Sequence, residues 1–212
     1  FVLFSFFCVA FCLDLSFFLV LDDATSADAV DLNLEITSLL PHNEIYLYNN
    51  GTPHITLYEA SFDSKFLGII METFERYMES SAKKCSVVLD GGSIFARFIE
   101  WNVQPNPCLS LLNEGLVEKL RLYREYAAPI PEWVIEYPDD DIRDSMTEDF
   151  IYSGFPFFAE NFRTGITVGY DFKEPIEFVL DELQFKSKTI VPKSIGIAIA
   201  EKNDFINSVG IL

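Results

Sequence analysis

Only two histidines occur in the 212 residues, His42 and His54, so any proton transfer through an imidazole must use one of them. His54 stands in Pro53-His54-Ile55-Thr56-Leu57. A second stretch, Thr164-Gly165-Ile166-Thr167-Val168, echoes it at an offset of 165 − 54 = 111 residues. Both read as strands. Alternate residues of a strand share a face, so His54 and Thr56 point one way while Ile55 and Leu57 point into a core. Thr167 likewise shares a face with Gly165, and Ile166 and Val168 are buried behind it. An imidazole exchanges a proton near neutral pH, and two such strands side by side would line one cleft with polar groups. His42 lies between a helix and a strand, and nothing in the sequence places it there.

The paired triplets, in the contexts NGTPHITLYEA and FRTGITVGYD, resemble the 2H phosphoesterase superfamily, which includes 2′,3′-cyclic nucleotide phosphodiesterases and 2′-5′ RNA ligase-like proteins. The resemblance extends over about residues 15–205. It implies an α+β fold: two pseudo-symmetric lobes of antiparallel sheet with outer helices around a central cleft. It also implies metal-independent hydrolysis of a cyclic phosphodiester without a cofactor. One histidine takes a proton from the nucleophile, the other gives one to the leaving oxygen, and the hydroxyls hydrogen-bond phosphate oxygens. The catalytic residues carried over are His54, Thr56 and Thr167.

The second histidine of the pattern falls on Gly165, and its common proline on Thr164. Glycine has no group to carry a proton, and loss of one acid–base group typically costs about 10²–10⁴ in rate. The resemblance therefore implies a secreted hydrolase-like protein with impaired or lost activity. His54 is its sole acid–base group, with water or a neighbouring acid in place of the other. An alternative is a non-catalytic module that binds a phosphorylated ligand or a protein partner in the degenerate cleft. A third is purely structural, with the threonines ordinary strand residues and His54 a half-buried histidine with a satisfied hydrogen bond.

Charge narrows the partners. Fifteen Lys and Arg against 33 Asp and Glu leave −18, which repels a long polyanion and excludes general nucleic-acid binding. A small phosphate-containing ligand such as a cyclic nucleotide fits better, and Arg163 is the basic residue nearest the motifs. Four Cys and two His cannot build a multi-site zinc protein, and no metal is expected. Half the residues are hydrophobic and 21 are Phe, which excludes disorder for most of the chain.

Residues 1–13 form an apolar run too short to span a bilayer, which reads as a truncated signal-peptide-like segment. The expectation is a secreted monomer without stable membrane insertion after signal removal, residues 14–212 forming a single bilobal domain. Secretion permits a Cys85–Cys108 disulfide, with two separate buried thiols as the alternative. Asn50-Gly51-Thr52 is a formal glycosylation acceptor, expected to be unmodified beside the functional residues.

The elements that must position the motifs follow from hydrophobic period and turn residues. A strand is expected over 15–21, then a helix capped by Thr25 or Ser26 and stopped by Pro41. Strands 44–48 and 53–60 should form a hairpin about Asn50-Gly51. A helix over 64–81 carries the stripe Phe66, Ile70, Phe74, Tyr77 and Met78. Strand 85–89, a turn at Gly91-Gly92 and strand 93–103 follow, then a helix over 109–126. Residues 129–150 are the least regular, with eight acidic residues against Arg143 and no function assigned. Strands are expected over 163–170, 176–185 and 190–200.

Overall fold

The computed structural model describes residues 12–49, 51–81, 85–126, 128–171, 173, 176–201 and 205–210. Its first half runs β1 (Cys12–Val20), α1 (Asp23–Leu39), β2 (His54–Asp63), α2 (Leu67–Ser81), β3 (Val87–Phe95), β4 (Phe98–Val103) and α3 (Pro107–Leu120). The second half adds α4 (Glu132–Ile135), α5 (Asp140–Ser153), β5 (Gly165–Tyr170), α6 (Val179–Glu182), β6 (Lys188–Ile190), β7 (Ser194–Glu201) and β8 (Phe205–Gly210). The fold is α+β. Its strands form two four-stranded antiparallel sheets, ordered β2-β1-β7-β8 and β5-β4-β3-β6.

The alternation expected from the sequence builds the core. β1 buries Leu15, Phe17 and Leu19, and β2 buries Ile55, Leu57 and Tyr58. Ile70 and Phe74 of α2 and Leu109, Leu112 and Leu116 of α3 belong to the same cluster. The second sheet contributes Val87, Leu89, Ile99, Trp101, Ile166 and Val168, with Leu32 and Ile36 of α1. Burying each such side chain stabilises by about 1.5–3 kcal/mol, which fixes which face of each sheet remains for polar residues.

Several local expectations are corrected. The cap of α1 is Asp22, whose carboxylate accepts from Thr25 N at 2.9 Å and Thr25 Oγ1 at 2.7 Å, so Thr25 is the donor. Residues 44–48 form no strand. Several of their backbone groups pair with side chains instead: Asn33 Nδ2 donates to the Ile45 carbonyl at 2.8 Å, and Leu47 N donates to Asn33 Oδ1 at 2.9 Å, while Glu44 N donates to the Tyr170 carbonyl of β5 at 2.9 Å. Asn50 lies outside the described residues, and so do residues 1–11 of the signal-like segment; Cys12 and Leu13 open β1.

Gly91-Gly92 is a bulge inside β3, where the register slips between Leu89 and Gly92, and the hairpin turns at Ala96-Arg97 with φ of 47° and 71°. Gly92 leaves room for Phe185, whose ring a Cβ would meet at 2.2 Å. Residues 176–185 hold the short helix α6 and no strand, while the acidic stretch contains α5, capped at Asp139 and ended by Gly154 at φ 81°. Among the described residues no helix is long and apolar enough to cross a membrane.

Two cross-links tie distant parts together. Cys85 and Cys108 are bridged, their Cα atoms 5.8 Å apart, joining the entry of β3 to α3. Asp28 of α1 takes Lys186 and Lys188 (Nζ–Oδ2 2.7 Å for the latter) from the segment entering β6, and these lysines hold its carboxyl below the usual range. Breaking the bridge with Cys85→Ser/Cys108→Ser should lower unfolding free energy by about 3 kcal/mol in chemical denaturation. Asp28→Asn should cost about 1 kcal/mol at pH 7. Because the folded-state pKa is depressed, that difference is present above the unfolded value and should vanish as the pH falls through the folded one.

Candidate functional site

β2 departs from strict alternation at one point, and the departure shapes the site. Phe17 pairs with Tyr58 and Phe18 with Thr56, which leaves Leu57 without a partner in β1. Leu57 and Tyr58 are therefore consecutive buried residues, and the polar residues on either side, His54 and Thr56 before and Glu59 and Ser61 after, all border one cleft. The bulge is held by Asn113 of α3, fully buried, whose Nδ2 donates to the Leu57 carbonyl at 2.7 Å.

The cleft has a volume of about 750 Å³ and lies between the two sheets. β2 lines it with His54 and Thr56, and β5 with Gly165 and Thr167, so the two echoed motifs meet at a common hollow. Thr164 Oγ1 donates to the Thr56 carbonyl at 2.8 Å, bonding the two motif segments directly. β5 is placed from behind by Asn33, which donates to the Val168 carbonyl at 2.8 Å, and by Asn43, which accepts from Tyr170 N at 3.0 Å. The loop entering β5 is tied to α5, where Asp149 Oδ2 accepts from Asn161 Nδ2 at 2.8 Å and from Phe158 N at 3.2 Å. His42 is exposed and does not line the cleft.

His54 is half-buried, with Phe18 edge-on to its ring at 5.0 Å. Its Nδ1 lies 2.8 Å from the Thr52 carbonyl, which can only accept, so Nδ1 carries the hydrogen. Burial holds the imidazole below its ordinary pKa, against a smaller opposite effect of the Thr52 bond. The ring is neutral near pH 7, and its Nε2 is left with a lone pair that accepts a proton.

Beside Gly165, the position equivalent to His54 in the echoed motif, stands a carboxylate. Glu100 lies opposite Thr167 in the β4–β5 ladder and so faces the cleft with it. A Cβ built on Gly165 would lie 3.0 Å from the Trp101 carbonyl, 3.3 Å from Glu100 Cβ and 3.7 Å from Glu100 Cδ. A side chain at 165 would thus start crowded by the Trp101 carbonyl and by Glu100. The Glu100 carboxylate is paired with Arg163 at 2.6 Å, and that guanidinium lies over the Phe95 ring, 3.8 Å from its centroid. Burial raises the Glu100 pKa and Arg163 draws it back, for a net rise.

The remaining wall is aromatic and was not foreseen. Phe98 of β4, Trp133 of α4, and Phe155 and Phe157 after α5 line the cleft, Trp133 stacking on Phe157 at 5.7 Å. Among the described residues, four carboxylates (Asp14, Glu44, Glu59, Glu100) border it against one guanidinium, Arg163. Among the described residues no group of three or more His, Cys, Asp or Glu could hold a metal ion. The sequence did contain a sign of Glu100: it alternates with buried Ile99 and Trp101 on a strand. Trp133 and the Phe155–Phe157 pair follow no period that ties them to the motifs.

No protein-family model matches this chain, and no curated protein matches it either.

Removing the bulge anchor gives a direct check on this construction. Asn113→Ala leaves the Leu57 carbonyl buried without a donor and should lower stability by about 1–3 kcal/mol in urea denaturation. Amide exchange in β2 should rise with it.

Proposed function

We propose that this chain is a 2H phosphoesterase-like protein, its two halves each giving one motif strand to a shared cleft, in which two-imidazole hydrolysis is impaired or lost and ligand binding remains. The observation that carries this proposal is the meeting of His54, Thr56 and Thr167 on one cleft with Gly165 beside them. Thr56 and Thr167 offer hydroxyls to a ligand, and His54 offers a neutral Nε2. A proton donor to match it is missing at Gly165, and the space beside it belongs to Glu100 and Arg163. A secreted setting accords with the Cys85–Cys108 bridge.

Weak residual catalysis is favoured by one specific feature, the lone pair on His54 Nε2, which makes His54 a base for an attacking water. Assayed on a 2′,3′-cyclic nucleotide, the protein should turn over about 10²–10⁴-fold more slowly than an enzyme with both imidazoles. Any such rate should disappear in His54→Ala. It should hold on acidification until the pH falls below the ordinary imidazole value of about 6.5, because the folded-state pKa of His54 is lowered. Gly165→His alone should recover little, since the new ring meets Glu100, whereas Gly165→His with Glu100→Ala should raise the rate. Wild-type turnover at the level of a two-imidazole enzyme, surviving His54→Ala, would overturn the proposal.

A further inference from the structure

The pairing of Glu100 with Arg163 has a consequence for what can enter the cleft. A phosphate-binding pocket needs positive groups or N–H donors free to face the anion. Among the described residues the one guanidinium on the lining is taken up by Glu100 at 2.6 Å and laid on Phe95. His54 is neutral, and its Nδ1–H is spent on the Thr52 carbonyl. Asp14, Glu44 and Glu59 also border the cleft, on a chain of net charge −18. An anion brought here meets repulsion, and among the described residues the guanidinium that could offset it is already paired.

The same lining suits a cation. Aromatic faces attract ammonium and guanidinium groups through their quadrupoles, tryptophan most strongly. Trp133, Phe98 and Phe157 line the same cleft as Glu100. The protein already uses this mode at the cleft wall, because the Arg163 guanidinium contacts both a ring (Phe95) and a carboxylate (Glu100). The volume of about 750 Å³ admits a small organic molecule.

Resting on the cleft-binding proposal above, we infer that the cleft takes a small organic cation, an alkylammonium or guanidinium compound, and that Glu100 is the residue that sets this preference over phosphate. Glu100 does so twice, by adding its own negative charge and by occupying Arg163.

Calorimetric titration of the whole chain tests this, with tetramethylammonium chloride, inorganic phosphate, and sodium chloride at matched ionic strength. The wild type should bind tetramethylammonium saturably and inorganic phosphate at least about tenfold more weakly. Glu100→Gln, nearly the same shape, should weaken the cation about tenfold and, by releasing Arg163, admit phosphate. Trp133→Leu should weaken the cation without admitting phosphate. Wild-type binding of phosphate but not of the cation, lost in Thr56→Val/Thr167→Val, would sink the cation assignment and leave the cleft-binding proposal standing. Binding of neither would remove both. Equal cation affinity in wild type, Glu100→Gln and Trp133→Leu, each shown folded by circular dichroism, would place the cation elsewhere and overturn the inference.

Discussion

A strand that inserts one residue relative to its neighbour must leave a backbone carbonyl without a ladder partner, and a buried carbonyl in that state costs stability comparable to a lost hydrogen bond. In β2 that residue is Leu57, and the amide of Asn113, buried in α3, meets its carbonyl. The insertion turns Leu57 and Tyr58 both into the core and lets His54, Thr56, Glu59 and Ser61 all border the cleft. Without it, strict alternation would put Tyr58 on the cleft side and Glu59 and Ser61 among the core residues. One helix-borne amide thus decides which side chains face the cleft.

Three buried asparagines share this kind of task. Asn33 and Asn43 satisfy the backbone of residues 45–47 and of β5, holding an irregular segment as the rim of the cleft. Thr164 then bonds β5 to β2 across the hollow. The site is built on sheet edges and fixed by side-chain amides, so the positions of His54 and Thr167 do not depend on mobile loops. The cleft holds a neutral imidazole on one side and, on the other, a carboxylate–guanidinium pair beside Gly165. In a partly desolvated cleft such a pair is costly to separate, so Arg163 is no free anion receptor.

Much of this was legible beforehand. The apolar period placed β1, β2, α1, α2 and α3, and the echo of PHITL in TGITV put two strands with matching polar faces at one cleft. The choice between a bridge and two thiols at Cys85 and Cys108 was open in sequence, because spacing along the chain carries no distance; the fold brings their Cα atoms to 5.8 Å. Gly91-Gly92 read as a turn because glycine pairs permit one. In the fold Gly92 serves a close approach of Phe185, a contact 93 residues away in the chain (185 − 92). Residues 44–48 had strand composition, but the side chains of Asn33 and Asn43 took hydrogen bonds that a strand ladder would have used, while Glu44 N bonds the edge of β5 at the Tyr170 carbonyl.

The sequence by itself determined the faces of residues 54–57 and 165–168, the helical stripes, and the absence of an imidazole at position 165, since these depend on residue type and period alone. Only the tertiary structure decided that Glu100 fills the neighbourhood of that position, that Arg163 is bound to it, and that Trp133 and Phe157 wall the cleft. The physical reason is that charge pairing and ring packing act through space. They join residues 63 positions apart, as in Glu100 and Arg163, for which no local pattern in the chain exists.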